Sequence, residues 1–367
     1  MSSDGAFTPG AGNGGAGYSD GYWANRVGVI TGAGSGIGEA MALACAERGM
    51  NVVLADISEE QLERVGAECD RVRQSLAEMG GNAGRLHLAR SGVTTLICDV
   101  TDRADLQKLH DTAYDTYGAV HLVHNNAGAM GPRVDSILDI SEEQWDWFMD
   151  LNMNSVLHGC RLFAKSMHVS GEDGFIINTS SIYGLASASS AYGITKQTVI
   201  AISEAFQQSL KSLDSKVQVS ALMPSFISTN LVNSNGGRDG MVGDAAAWMN
   251  GILADGPGPE FVAKCVFSGI ENGDHYIHTH PDVSEQMFQD RVEGILGTLK
   301  VTTDRHDAEM ERIGKEAGLL GGRPTKTAAE KNAALAVAEE EEEEEEEEAV
   351  AVGDDFAQTT LVRRSKL

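Results

Sequence analysis

The sequence predicts an α/β fold: a doubly wound parallel sheet of about seven strands with helices on both faces. Two observations carry that expectation. Short apolar runs alternate with longer stretches of helical spacing, and a glycine-rich turn separates the first run from the first helix. A strand buried on both faces reads as an unbroken apolar run, and these runs do.

The elements follow in order. Val27–Thr31 reads as the first strand, Gly32–Gly38 as a turn, and Gly36–Arg48 as the first helix. Val52–Ala55 is the second strand and Glu59–Met79 the second helix. Gly80–Gly92 is a polar, glycine-rich insertion, expected as a surface loop. Leu96–Cys98, Val120–His124, Phe175–Thr179, Val217–Leu222 and Tyr276–His278 complete the strands. Asp102–Tyr117, Glu142–Met167 and Tyr192–Leu213 supply the intervening helices. One domain is expected over residues 22–300, with no internal repeat.

The ends are different in kind. Residues 1–21 are rich in glycine and nearly lack large apolar side chains, so burial cannot offset ordering entropy, and a disordered arm is expected. Residues 301–367 hold an unbroken run of ten Glu, Glu339–Glu348, expected as a solvated, self-repelling, disordered spacer. That tail carries 18 acidic and 9 basic residues, a net −9 of the whole chain's −26, which leaves −17 for residues 1–300. An acidic folded part argues against nucleic acid as a partner, since phosphate contacts need a basic surface. The five cysteines are scattered, with no CxxC pair, as in a reducing compartment. No apolar run reaches the ~20 residues of a membrane span, and no signal-peptide order opens the chain. The chain ends in Ser365-Lys366-Leu367, a receptor-read peroxisomal address. It predicts the peroxisomal matrix, with an import receptor as partner, or the cytoplasm where the signal is not read.

Strand, glycine turn and helix can seat a dinucleotide pyrophosphate at a helix N-terminus, as in Rossmann-type sheets. The spacing is T-G-x-x-x-G-x-G and not G-x-G-x-x-G. Asp56 follows the second strand, 18 residues past Gly38, where a carboxylate would accept from the ribose hydroxyls. It would also repel a 2′-phosphate, and neither Ser35 nor Ile57 offers a compensating charge, so NAD is expected over NADP. As a helix cap Asp56 has a competitor in Ser58. Tyr192 and Lys196 lie four apart on one helix face, where the ammonium can stabilise the phenolate. Ser181 stands 11 residues upstream at a strand's C-terminal end, the side on which ligands bind open parallel sheets. Ser180 is an alternative. The chemistry expected is carbonyl–alcohol redox.

In these pieces the chain resembles the classical short-chain dehydrogenase/reductase family. The matching residues are the Thr31-Gly32-Ala33-Gly34-Ser35-Gly36-Ile37-Gly38 run, Asp99-Val100, Asn125-Asn126-Ala127-Gly128, Asn152, Ser181, Tyr192, Lys196, and Pro224 followed by Thr229. The resemblance implies that Thr31 to Gly38 hold the dinucleotide and Asp56 its adenosine ribose. Asp99 and Val100 would flank the adenine, and Asn126, Ala127, Gly128 and Pro224 would border the cofactor. Thr229 would contact the nicotinamide amide. Tyr192 would be the acid/base, Lys196 would bind the nicotinamide ribose, Ser181 would orient the substrate oxygen, and Asn152 would hold a relay water. A homodimer or homotetramer is implied, its interface built from Glu142–Met167 and Tyr192–Leu213. Two positions depart from the pattern: Pro224-Ser225 replaces Pro-Gly, and the Ser181-to-Tyr192 interval is two residues short.

Other readings remain beside this one. An enoyl or dienoyl thioester reductase would use NADPH, and a nucleotide-sensing scaffold would bind without turnover. His275, His278 and His280 have ligand-like spacing, but no metal is expected. Phe226–Gly258 reads as a lid or a surface loop.

Overall fold

The computed structural model describes residues 21–79, 92–131, 137–188, 190–229, 231 and 250–316. The arm, the insertion at 80–91, most of the expected lid and the poly-Glu tail lie outside the described residues. The chain divides into two compact units, residues 1–295 and 296–367.

The first unit is the expected doubly wound sheet. Its seven strands are β1 (Val27–Thr31), β2 (Asn51–Asp56), β3 (Val93–Ile97), β4 (Leu122–Asn125), β5 (Gly174–Thr179), β6 (Val217–Met223) and β7 (Tyr276–His278). They pair in the order β3-β2-β1-β4-β5-β6-β7, and every pairing is parallel. Ile30 of β1 pairs with Leu54 on one side and His124 on the other. The order reverses at β1, so a crevice opens beyond the C-terminal ends of β1 and β4.

Alternating side chains of each strand enter two separate apolar cores, one per sheet face. Ile30, Leu54, Phe175 and Ile177 join Met41 and Phe267 in one core. Val29, Val53, Val123 and Ile176 join Leu109 and Phe163 in the other. The first core is covered by α1 (Gly36–Glu47), α2 (Glu59–Met79) and α7 (Pro259–Asn272). The second is covered by α3 (Arg103–Tyr117), α5 (Ser155–Ser170) and α6 (Ala191–Ser212). Truncating a buried aromatic such as Phe175 would cost about 3–5 kcal/mol.

Three differences from the sequence expectation have physical causes. β3 begins at Val93 instead of Leu96, because an edge strand tolerates the half-buried Thr94 and exposed Thr95 that hide it from an apolar search. The helix expected over Glu142–Met167 is two helices. α4 (Glu142–Met149), opened by a Ser141/Gln144 capping box, gives way to a π turn over Asp150–Asn154 before α5 begins. Finally, α8 (Pro281–Glu316) runs beyond residue 300, so residues 301–316, placed by sequence in the tail, are helical.

Candidate active site

A cavity of about 600 Å³ occupies the crevice. One end is lined by Asp56, Ile57, Gln61 and Asp99-Val100, the middle by the glycine turn, and the other end by Ser181, Tyr192 and Lys196. Gly32, Ser35, Gly36, Ile37, Asn126, Ala127, Gly128, Pro224 and Thr229 also face it. The remaining residues of the expected set stand behind the wall.

Each of those has a positioning contact. Thr31 Oγ1 accepts from the Asn126 and Ala127 N–H groups (2.9 and 3.1 Å), tying β1 to the turn after β4. Gly38 packs directly under the glycine turn: a Cβ there would come within 2.0 Å of the Gly32 carbonyl oxygen. Gly34 donates its N–H to Asp56 Oδ2 at 2.9 Å, and Asp56 Oδ1 accepts from Ser58 N–H at 3.0 Å. The Asp56 carboxylate is thereby fixed at the cavity's edge with lone pairs to spare, while Ser58 Oγ accepts from Gln61 N–H at the start of α2 (3.4 Å). A dinucleotide suits this cleft: a carboxylate at one end, a glycine turn opening a helix in the middle, buried titratable groups at the other.

Asn152 is fully buried on the π turn. Its Oδ1 accepts from Ala129 N–H (3.0 Å) and its Nδ2 donates to Ala129 O (2.9 Å). The amide therefore clamps the strand-end segment. π turns recur where one side chain must be re-aimed at a functional site.

The reacting end is set by α6. Ser190 caps it, its Oγ accepting from Gly193 N–H (3.2 Å), which places Tyr192 in the first turn and Lys196 one turn on. Lys196 Nζ donates to the Thr179 carbonyl (2.9 Å) and lies 5.6 Å from the Tyr192 ring centroid. Burial lowers Lys196 to about 8. Burial also raises Tyr192 to about 12, although a hydrogen bond with the Ser181 hydroxyl pulls it back. The sequence expectation was a phenol lowered by Lys196. In this site desolvation sets the direction, and the ammonium is bonded to the Thr179 carbonyl.

The two serines, both at the cavity, make different bonds. Ser180 is buried and donates to the Lys196 carbonyl (2.7 Å), so it fastens α6 to β5. Ser181 faces the cavity, accepting from Tyr183 N–H (3.2 Å) and bonded to Tyr192. The Pro224-Ser225 departure is accommodated by Thr279, whose Oγ1 accepts from Ser225 N–H (3.0 Å). Of the three histidines weighed as ligands, His275 bonds the Val219 carbonyl (2.6 Å) and His280 bonds Thr279 (3.0 Å).

Sequence reasoning missed an apolar wall at the reacting end: Met130, Trp147, Leu151, Tyr183 and Leu253. Phe226, from the stretch read as a lid or loop, belongs to it too. Tyr183, two residues past Ser181, was the one member a local signal could have found. It also missed His124, fully buried with Nε2 2.8 Å from Thr179 Oγ1. Burial lowers that imidazole to about 3, so it is neutral.

Fold and cavity together define a Rossmann-type, doubly wound protein with a cleft that suits a dinucleotide. The family model described as short chain dehydrogenase matches residues 26–239, and the chain belongs to the short-chain dehydrogenase/reductase family. A cyclohexanol dehydrogenase of Acinetobacter sp. (strain SE19) is 32% identical over 210 residues, 57% of this chain and 75% of that protein. 3beta-hydroxysteroid dehydrogenase 2 of Eggerthella lenta is 30% identical over 213 residues, 57% of this chain and 73% of that protein. A short-chain dehydrogenase/reductase of Burkholderia phymatum, solved in complex with NAD, superposes with a TM-score of 0.65 at 30% identity. That match covers 75% of this chain and 96% of the other.

Proposed function

We propose that this chain is an NAD-linked dehydrogenase/reductase that interconverts an uncharged, apolar secondary alcohol and its ketone. The observation that carries this is the convergence of Ser181, Tyr192 and Lys196 at one end of a cavity whose other end holds Asp56. When bound, the dinucleotide supplies the acceptor for the carbon-bound hydrogen with its electron pair. The protein's own residues handle the remaining proton and the geometry.

Tyr192 as the phenolate takes the hydroxyl proton in oxidation, and as the phenol it gives that proton up in reduction, the form that burial favours. The Ser181 hydroxyl donates to the substrate oxygen, holding it beside the phenol and stabilising the charge that develops there. Lys196 keeps its ammonium below about pH 8 and holds positive charge under the phenol. Asn152 is a positioning residue: through Ala129 it sets the segment bearing Gly128, whose Cβ position lies 3.5 Å from Lys196 Nζ. Asp56 favours a free ribose over a 2′-phosphate by charge. The wall of Trp147, Tyr183 and Phe226 adds no charge, and among the described lining residues the only cation is Lys196. An anionic substrate would have no further partner there, whereas rings would pack well. The names of the cyclohexanol and hydroxysteroid relatives support the same class.

The test is a panel of cyclic secondary alcohols, ketones, an enoyl thioester and a 3-hydroxyacyl thioester, each with NAD(H) and NADP(H). Oxidation of the cyclic alcohols with NAD, lost in Tyr192→Phe, is expected. Thioester reduction with NADPH alone, or binding without any turnover, overturns the reading. The addresses of the chain are separate proposals. Ser365-Lys366-Leu367 sends it to the peroxisome, checked by localising the intact chain against one lacking the tripeptide. Two or four copies assemble through α4–α5 and α6, checked by sedimentation.

A further inference from the structure

The glycine turn is gripped from outside the cavity by a device that motif matching does not include. Arg64, on α2, donates Nη2 to the Gly34 carbonyl at 3.0 Å. The same guanidinium forks onto Glu39, in the first turn of α1, at 2.5 and 2.7 Å. Gly34 thus gives its N–H to Asp56 and its carbonyl to Arg64, so one residue of loop separates the acid at the ribose corner from a guanidinium. No room separates the layers: a Cβ on Gly34 would stand 2.9 Å from both Asp56 Oδ2 and Gln61 Cβ.

We propose that Glu39 is a specificity-determining residue, which withholds the Arg64 guanidinium from the ribose corner and so excludes a 2′-phosphate. This inference rests on the NAD-linked reading above. Among the described residues the corner has no lining cation of its own. Arg64 is anchored beside it, but its charge is neutralised by a two-point carboxylate pair, the geometry a guanidinium would otherwise offer to a phosphate. The pair is part-exposed, at 53% and 25% of side-chain surface, and exposed pairs contribute little to stability. Removing Glu39 leaves the Gly34 anchor in place and frees Nη1, with the more distant Glu68 as the remaining carboxylate acting on it.

The experiment measures dissociation constants of NADH and NADPH on the full chain by ligand fluorescence, alongside thermal midpoints. The variants are Asp56→Ser, Asp56→Ser with Glu39→Gln, and that pair with Arg64→Ala. Glu39→Ala serves as a second form of the same change. Adding the Glu39 change to Asp56→Ser is expected to tighten NADPH by a further tenfold, roughly, with NADH moving about twofold or less. Arg64→Ala is expected to abolish that gain. An unchanged NADPH constant, or a gain that survives Arg64→Ala, overturns the inference and leaves the NAD-linked reading standing. A wild-type protein that binds neither dinucleotide overturns both.

Discussion

The two ends of the cavity are built from different materials. At the nucleotide end the groups that matter are backbone and short: a glycine turn, the first turn of α1, and one carboxylate fixed by two N–H groups. At the reacting end they are long side chains, Tyr192 and Lys196, buried deeply enough to shift both. On the proposed function, the first end would recognise by shape and charge and the second would work by proton affinity. Damage to the first should appear in binding, and damage to the second in turnover.

The largest expected effect tests the second half of that contrast. Tyr192→Phe should lower kcat by about 10²–10⁴-fold while the NADH dissociation constant stays within about twofold, read by steady-state kinetics and fluorescence titration. A variant retaining full turnover breaks the contrast at its strongest point. Next comes the serine pair. Ser181→Ala should lower kcat by about 10²-fold through loss of a donor to the substrate oxygen. Ser180→Ala should instead destabilise the fold by about 1 kcal/mol, with kcat changed less than about tenfold, because its hydroxyl bonds Lys196 O and not the cavity.

The buried His124 gives a pH signature. Its folded pKa is depressed, so between about 3 and its ordinary value near 6.5 the unfolded chain binds a proton that the native state refuses. Stability is therefore full above about pH 6.5 and falls as pH drops through that window, by up to about 1.4 kcal/mol per unit from this group. His124→Leu should flatten the slope, measured by urea denaturation across pH. At the nucleotide end the smallest effect is expected. Asp56→Ser should raise KM for NAD about tenfold, improve NADP, and leave kcat within about twofold. A fall in kcat as large as that of Ser181→Ala would show that the two ends are not separable.

The sequence carried most of the sheet because fully buried strands have nothing polar to obscure them. Val27–Thr31, buried throughout, was placed residue for residue, and Phe175–Thr179 lacked only Gly174. It carried less where the environment is mixed: β3, half exposed, begins three residues before its apolar signal. α7 went unplaced, although Pro259 at its first turn and Gly273 after its end mark both boundaries. The π turn left no periodicity signal, since one extra residue per turn is smaller than the tolerance of an apolar stripe. At the site, local motifs brought Asp56, Ser181, Tyr192 and Lys196 to one cavity, while choosing between Ser180 and Ser181 needed the direction of each hydroxyl. Glu39 and Arg64 stand 25 residues apart and fit no motif, so only the folded loop shows them together.

The most direct test of the account follows cofactor reduction by absorbance. The purified chain is given a cyclic secondary alcohol with NAD, beside Tyr192→Phe at equal occupancy of NAD. The account predicts steady NADH formation by the wild type and loss of about 10²-fold or more in the variant. Equal rates in the two proteins, or NADH binding with no oxidation of any alcohol offered, would contradict it.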